Sequence, residues 1–394
     1  MPIEDDFPPL PVIPTVSGVH VSGVVAGLKD NDKHDLFIAK LISGSTIAGT
    51  LTSSRCPGMP VEWTKRQLPG GQVRAIVASS GNSNVFTGNQ GRELVQKTAS
   101  VTAKLIGCDR SEVFLASTGV IGEKKEVNFV ADKVPLGIQA LSETGWHNAA
   151  RSIMTTDRFP KAVVRRVKIG NTDITLAGIA KGSTMIAPDM GTMLSFIFTD
   201  AKIPPKILQN CLKYAVDRSF NCISVDGDTS TSDTVLLSAT GQAKGQLKIQ
   251  SANDRVLKKF RVALNEMTTE LALMIVRDGA ATGNLLTCDV VGAVSQRAAR
   301  NIGRSIVNST LVRKGIFGAE PRVGRIVMAV GKAGERAERD LLSISIGEVL
   351  VAKAGETLAN FDEGAVISHL KSNQVHFTID IGLGRGKARV WSAL

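Results

Sequence analysis

The residues best suited to chemistry are Gly191 and Thr192. They lie between Lys181-Gly182-Ser183-Thr184-Met185-Ile186-Ala187-Pro188-Asp189-Met190 and the apolar run Met193-Leu194-Ser195-Phe196-Ile197-Phe198. That run reads as a buried strand, closed by the polar Thr199-Asp200. A threonine hydroxyl is a poor nucleophile near neutral pH and needs a proton acceptor beside it. A free α-amine, which titrates near ~8, can serve, whereas an amide nitrogen cannot. Cutting the chain before Thr192 would place such an amine on the same residue as the hydroxyl. The hydroxyl could make the cut itself by attacking the Gly191 carbonyl, moving the acyl group from nitrogen to oxygen and leaving an ester for water to open. Taken alone, Gly-Thr at the head of a strand is an ordinary turn, so this reading depends on its companions.

A second feature supplies one. Ala116-Ser117-Thr118-Gly119-Val120-Ile121-Gly122 follows the apolar Val113-Phe114-Leu115 and reads as a strand entering a glycine-punctuated loop. There, backbone N–H groups and the Thr118 hydroxyl can converge on one point, as a developing oxyanion requires. Three further stretches follow: Met154-Thr155-Thr156-Asp157, Gly178-Ile179-Ala180-Lys181-Gly182, and Ser219-Phe220-Asn221-Cys222-Ile223-Ser224-Val225-Asp226-Gly227-Asp228-Thr229-Ser230-Thr231-Ser232-Asp233-Thr234.

In this order, from about Val19 to Trp391, these motifs resemble the ornithine acetyltransferase (glutamate N-acetyltransferase) family of arginine biosynthesis, a self-cleaving group of N-terminal threonine acyltransferases. The resemblance implies cleavage at Gly191–Thr192, giving an α subunit of residues 1–191 and a β subunit of residues 192–394 headed by the nucleophile Thr192. It implies an oxyanion hole of Thr118 and Gly119, with Thr155, Lys181 and Thr192 itself as substrate contacts. A lysine suits an amino-acid carboxylate, being a compact cation with three donors. The implied reaction is acetyl transfer from N2-acetylornithine to glutamate through an acetyl-threonine intermediate. The implied setting is a cytoplasmic α2β2 assembly without metal or organic cofactor, some members taking acetyl-CoA as donor. Read singly, Thr118 is a turn cap, Thr155 a helix N-cap and Lys181 a solvated charge.

Three departures from the family pattern fall on the substrate side. Where the family has Gly-Glu-Gly-Ala-Thr-Lys, this chain has Gly279-Ala280-Ala281-Thr282-Gly283, and the methyl of Ala280 cannot pair with an amine. Where the family has Asp-Pro-Asn-Trp-Gly-Arg, it has Glu320-Pro321-Arg322-Val323-Gly324-Arg325. The family tail that brings an Asn and a Thr or Ser to the substrate has no match before Leu394. The expectation is that self-cleavage withstands these changes better than transfer does. The alternatives are a decayed, binding-only homologue that still cleaves itself, and an amidohydrolase or aminopeptidase that uses the same threonine with water as acceptor.

The elements that must position these residues are mixed. The segment Val163 to Lys181 divides at Gly170-Asn171 into the two arms of a hairpin that delivers Lys181 to one edge. Pro204-Pro205 precedes Ile207, Leu208, Cys211, Leu212, Ala215 and Val216, the spacing of an amphipathic helix opened by proline. A second helix is predicted from about Asn253 to Arg277, with Leu257, Phe260, Leu264, Met267, Leu271 and Ile275 inward and Gly279 past its end. Asp289 to Ile306 reads as a strand followed by a helix. Strict βαβ alternation is missing, which argues for an α+β fold. The resemblance sharpens this to a layered sandwich of sheets packed between helices, with a smaller C-terminal α/β domain from about residue 285.

Composition sets the outer bounds. A chain of 394 residues that is 43% hydrophobic can bury a substantial core in two or three domains. No segment nears the ~18 uninterrupted apolar residues of a membrane span, and the acidic, proline-rich Met1–Pro11 lacks the order of a secretory signal. Cys56, Cys108, Cys211, Cys222 and Cys288, an odd set without CxxC spacing, read as reduced buried thiols. The net charge of +11 is spread along the chain, and only 4% of residues are aromatic. A nucleic-acid partner is therefore not expected, and the densest basic run, Lys161 to Lys168, reads as a solvated face that draws in anionic glutamate. Asp226-Gly227-Asp228-Thr229-Ser230-Thr231 lacks the glycine of a calcium loop at Thr231. Gly382-Leu383-Gly384-Arg385-Gly386-Lys387 reads as a hairpin turn. His20, His34, His147, His369 and His376 show no paired ligand spacing.

Overall fold

Strands buried along most of their length organise the first of two units in this computed structural model, which describes residues 9–30, 32–186, 193–280 and 283–394. The first unit comprises Met1–Gly182, Asp189–Asp217 and Thr229–Leu271, in so far as these are described. One of its sheets holds β1 (Val19–Val24), β2 (Leu36–Leu41), β4 (Ala75–Asn82) and β5 (Val113–Val120) in the order β1-β2-β4-β5. The other holds β3 (Thr46–Leu51), β6 (Lys161–Ile169), β7 (Thr172–Lys181), β8 (Leu194–Thr199) and β10 (Thr234–Ala239) in the order β3-β10-β8-β7-β6. The run after Thr192 thus becomes β8, and every one of its residues is buried, as a central strand demands.

The two sheets pack face to face through one apolar cluster. Phe37 of β2 stacks on Phe196 of β8 with centroids 4.9 Å apart, and Trp146 meets Phe198 edge-on at 5.6 Å. Trp146 opens α4 (Trp146–Ser152), whose Ala149 and Ala150 belong to the same core. The outer face of the first sheet is covered by α1 (Met59–Gln67), α2 (Gly88–Ile106) and α3 (Val134–Gln139). On the second sheet, α5 (Pro205–Val216) packs against β3, and the part of α6 (Lys258–Gly279) up to Leu271 packs against β7. A Cβ on Gly178 of β7 would come within 3.2 Å of Leu271 and Met267 of α6, so this glycine sets a close helix-to-sheet approach. Helices, sheet, sheet and helices form the α+β layering expected from the sequence.

The second unit comprises Ser183–Pro188, Arg218–Asp228 and Ala272–Leu394, again as far as described. Its sheet contains β9 (Ile223–Ser224), β11 (Leu285–Ala293), β12 (Ser343–Ile346), β13 (Val349–Lys353), β14 (Glu356–Thr357), β15 (Gln374–Asp380) and β16 (Gly386–Ala393). The order is β14-β13-β12-β15-β11-β16-β9. It buries one apolar cluster together with α7 (Gln296–Val307), α8 (Thr310–Phe317), α9 (Val323–Gly331) and α10 (Glu363–Leu370). Among the described residues no helix is long and apolar enough to cross a membrane.

The hairpin divided at Gly170 forms as expected, with Lys161 opposite Ala180 and Ile169 opposite Thr172. The inward set of α5 and the inward residues from Leu257 to Ile275 are buried as their spacing requires. Four expectations need correction. The stretch Gly382–Lys387 is no hairpin turn, because β11 lies between β15 and β16, parallel to the one and antiparallel to the other. It crosses the end of β11 instead, where the Leu383 and Gly384 N–H groups donate to the Gly292 carbonyl at 2.8 and 2.7 Å. Gly279 is the last residue of α6 rather than a stop beyond it, and a Cβ there would lie 2.4 Å from the Ser183 carbonyl oxygen, so close packing selects the glycine. Cys56 is exposed and Cys108 half-buried, unlike the buried Cys211, Cys222 and Cys288. Lys161 has no exposed surface, so the basic run is not solvated throughout.

Candidate active site

Thr118 lies within β5 with 1% of its surface exposed, so it caps no turn. The parallel register of β4 and β5 sets Ser80 beside Thr118 and Gly81 beside Gly119. Gly119 has φ +135°, and a Cβ on it would fall 2.2 Å from the Gly81 carbonyl carbon. Only glycine fits there. The loop beyond is held by Ser83, whose N–H and hydroxyl both donate to the Val120 carbonyl at 3.1 and 2.7 Å.

Lys181 ends β7, opposite Leu194 at the head of β8. It is 2% exposed, and its Nζ donates to Thr118 Oγ1 at 3.0 Å. The Thr118 oxygen thus accepts from an ammonium, which leaves its own proton to be donated and polarises the O–H bond.

Asp157 ties the surrounding backbone to these cations. Its Oδ1 accepts from Lys161 Nζ at 2.8 Å and from the Gly182 N–H at 2.6 Å, and its Oδ2 accepts from the Thr155 N–H at 3.0 Å. The Asp157 and Lys161 side chains are both wholly buried. Burial alone would push the Asp157 carboxyl up. The charges of Lys161 and Lys181 and the donors from Lys161 and Gly182 outweigh it, bringing it down to about 2. Thr155 lies after α4 and before β6, so it caps no helix, and its anchored N–H fixes the loop that carries it.

Lys29 adds a third cation nearby. Its Nζ donates to the His34 and Met154 carbonyls at 2.9 and 2.8 Å. Burial lowers it to about 8, opposed by Asp35 and reinforced by Lys181.

Gly191 and Thr192 lie outside the described residues, as do Ala281 and Thr282. The description resumes at Met193, whose N–H donates to Asp233 Oδ1 at 3.0 Å and whose carbonyl accepts from the Thr234 N–H at 3.1 Å. Asp233 has no exposed surface. Burial raises its carboxyl well above the usual range, against the Met193 N–H, the Lys181 charge and the nearby Thr52 and Ser230 hydroxyls. Ala280, in the second unit, is 2% exposed. Also in that unit, Asp226 accepts from the Met185 and Ile186 N–H groups, which engages the carboxylate of the calcium-like loop with backbone.

The structure therefore joins Thr118 to Lys181 directly, and Thr155 to the Lys181–Gly182 corner through Asp157. The sequence alone does not single out Asp157, Lys161, Lys29 or Asp233 as site residues. Asp157 and Asp233 stand inside the motifs that carry the resemblance, which is the available signal.

The ArgJ family model matches residues 20–393. The arginine biosynthesis bifunctional protein ArgJ of Gluconobacter oxydans (strain 621H) is 45% identical over 392 residues, covering 100% of this chain and 92% of that protein. The protein of the same name from Bradyrhizobium diazoefficiens is 45% identical over 387 residues, covering 97% and 93%. A crystal structure of the arginine biosynthesis bifunctional protein ArgJ from Bacillus halodurans is 30% identical, with a TM-score of 0.46 over 49% of this chain and 90% of that one.

Proposed function

This chain belongs to the ArgJ family, and from that premise we propose that it cleaves itself at Gly191–Thr192 and then transfers acetyl from N2-acetylornithine to glutamate. Identity of 45% along the whole chain favours this over a decayed binding protein or an amidohydrolase. In the first step Thr192 Oγ1 attacks the Gly191 carbonyl carbon, the Gly191–Thr192 C–N bond breaks, and the nitrogen leaves as an amine. Water then opens the ester. In transfer the new α-amine takes the hydroxyl proton as Thr192 attacks the acetyl carbon, and ornithine departs with that proton on its nitrogen. The amine of glutamate attacks the acetyl ester and restores the hydroxyl.

The observation that carries this reading is the bond from Lys181 Nζ to Thr118 Oγ1. It presents a polarised hydroxyl beside Gly119, the kind of donor that an oxyanion needs. Assembly as α2β2 after cleavage, a cytoplasmic setting and acetyl-CoA as a second acetyl donor are part of the proposal.

Purified protein should separate into two chains, the second beginning Thr-Met-Leu, while Thr192→Ala stays intact. The cleaved protein should form acetylglutamate from acetylornithine and glutamate. A different N-terminus on the second chain defeats the nucleophile assignment. Free acetate in place of acetylglutamate would identify water as the acceptor.

A further inference from the structure

One peptide unit beside the candidate site is held from both ends. The Met154 carbonyl accepts from Lys29 Nζ at 2.8 Å, and the N–H of the same peptide, on Thr155, donates to Asp157 Oδ2 at 3.0 Å. A cation and an anion thus grip the two poles of one dipole, which fixes the plane from which Thr155 departs. Held only at its N–H, that peptide could still turn about the remaining hydrogen bond. Thr155 is half-buried, and among the described residues its hydroxyl has no hydrogen-bond partner, which leaves it to a ligand.

The turn after β1 delivers Lys29 to this peptide. Asp35, with no exposed surface, accepts from the Ala26, Leu28 and Lys29 N–H groups at 2.7, 2.6 and 3.1 Å. The Lys29 stem passes over Gly81 of β4, where a Cβ would lie 2.9 Å from Lys29 Cγ. From there Nζ reaches the Met154 carbonyl, 125 positions along the chain, and the His34 carbonyl at 2.9 Å. We propose that Lys29 is a positioning residue for substrate binding: by holding the Met154 carbonyl, it keeps the Thr155 hydroxyl in place for the amino-acid substrate.

This inference rests on Thr155 being a substrate contact, and the test separates the two. Acetylglutamate formation is measured at about pH 7, where the Lys29 amine is protonated, for the cleaved wild type, Lys29→Met, Thr155→Val and the double variant. Methionine keeps an apolar stem over Gly81 and removes the donors. Lys29→Met should melt cooperatively and raise KM for acetylornithine about tenfold, the scale of one hydrogen bond to substrate, with kcat close to wild type. Because Lys29 acts through Thr155, the double variant should be no worse than Thr155→Val alone. Should Lys29→Met fail to fold, Lys29→Gln supplies the same comparison. An unchanged KM, a fall in kcat instead, effects that multiply in the double variant, or a folded Lys29→Met chain that does not cleave each overturns the proposal. If Thr155→Val alone leaves KM unchanged, the reading of Thr155 as a substrate contact fails, and the proposal falls with it.

Discussion

Replacing Asp157 by asparagine should destabilise the first unit by an amount that depends on pH. The Asp157 side chain has no exposure, holds Lys161 Nζ at 2.8 Å and accepts from two backbone N–H groups. Its shift from 3.8 to about 2 corresponds to roughly 2–3 kcal/mol at neutral pH. Removing one partner of a buried pair costs about 3–5 kcal/mol, because the other charge is left unpaired. The two figures agree in scale. The sign follows from the depressed pKa: the stabilisation is present above the unfolded value of 3.8 and is lost as pH falls from there toward about 2. Urea midpoints at about pH 7 and about pH 3.5 measure this directly, with the gap between wild type and Asp157→Asn wide at neutral pH and narrowing in acid. Asp157→Asn combined with Lys161→Met should recover part of the loss, since the buried cation is removed along with its carboxylate. An unchanged midpoint at neutral pH, or a gap that stays constant into acid, would refute the argument.

Thr118→Ala should slow both cleavage and acetyl transfer by about 10²–10³, while Thr118→Ser, which keeps the hydroxyl, stays close to wild type; rates from gels and an acetylglutamate assay decide. Gly119→Ala meets both φ +135° and the Gly81 carbonyl carbon at 2.2 Å, so it should lower the yield of folded protein and abolish cleavage, and a normal melting curve would contradict this. Asp233, with its pKa raised, stabilises the fold in acid and loses that contribution as pH rises through its folded-state value. The melting temperature of Asp233→Asn should therefore gain on wild type at alkaline pH.

What the sequence makes legible is whatever local spacing sets. The proline start and apolar face of α5 and the β6–β7 hairpin each depend on residues within one segment. The β15–β11–β16 order cannot be read this way, because β11 inserts between two strands that lie next to each other only in the chain. Lys161 escapes for a similar reason. It sits at the buried start of β6, against Asp157, while Arg166 and Lys168 further along the same strand are exposed. In the candidate site, Thr118 and Lys181 stand out through their motifs, but their direct bond spans 63 positions and depends on the packing of two sheets. Asp233 reaches Met193 only through the parallel pairing of β10 with β8, a contact between residues 40 positions apart.

Once placed, the two carboxyls divide the electrostatic work around one lysine. Both are buried and both feel the charge of Lys181, yet they move in opposite directions. Asp157 also has Lys161 in direct contact and three donors on its oxygens, so its charged form is favoured despite burial. Asp233 has the Met193 N–H, the Thr52 and Ser230 hydroxyls and the charge of Lys181 against it, and burial prevails. One group is thereby held ionised as an anchor, while the other is left able to titrate. Environments that push two acids apart in this way set their roles, and here the difference lies in Lys161, which pairs directly with Asp157.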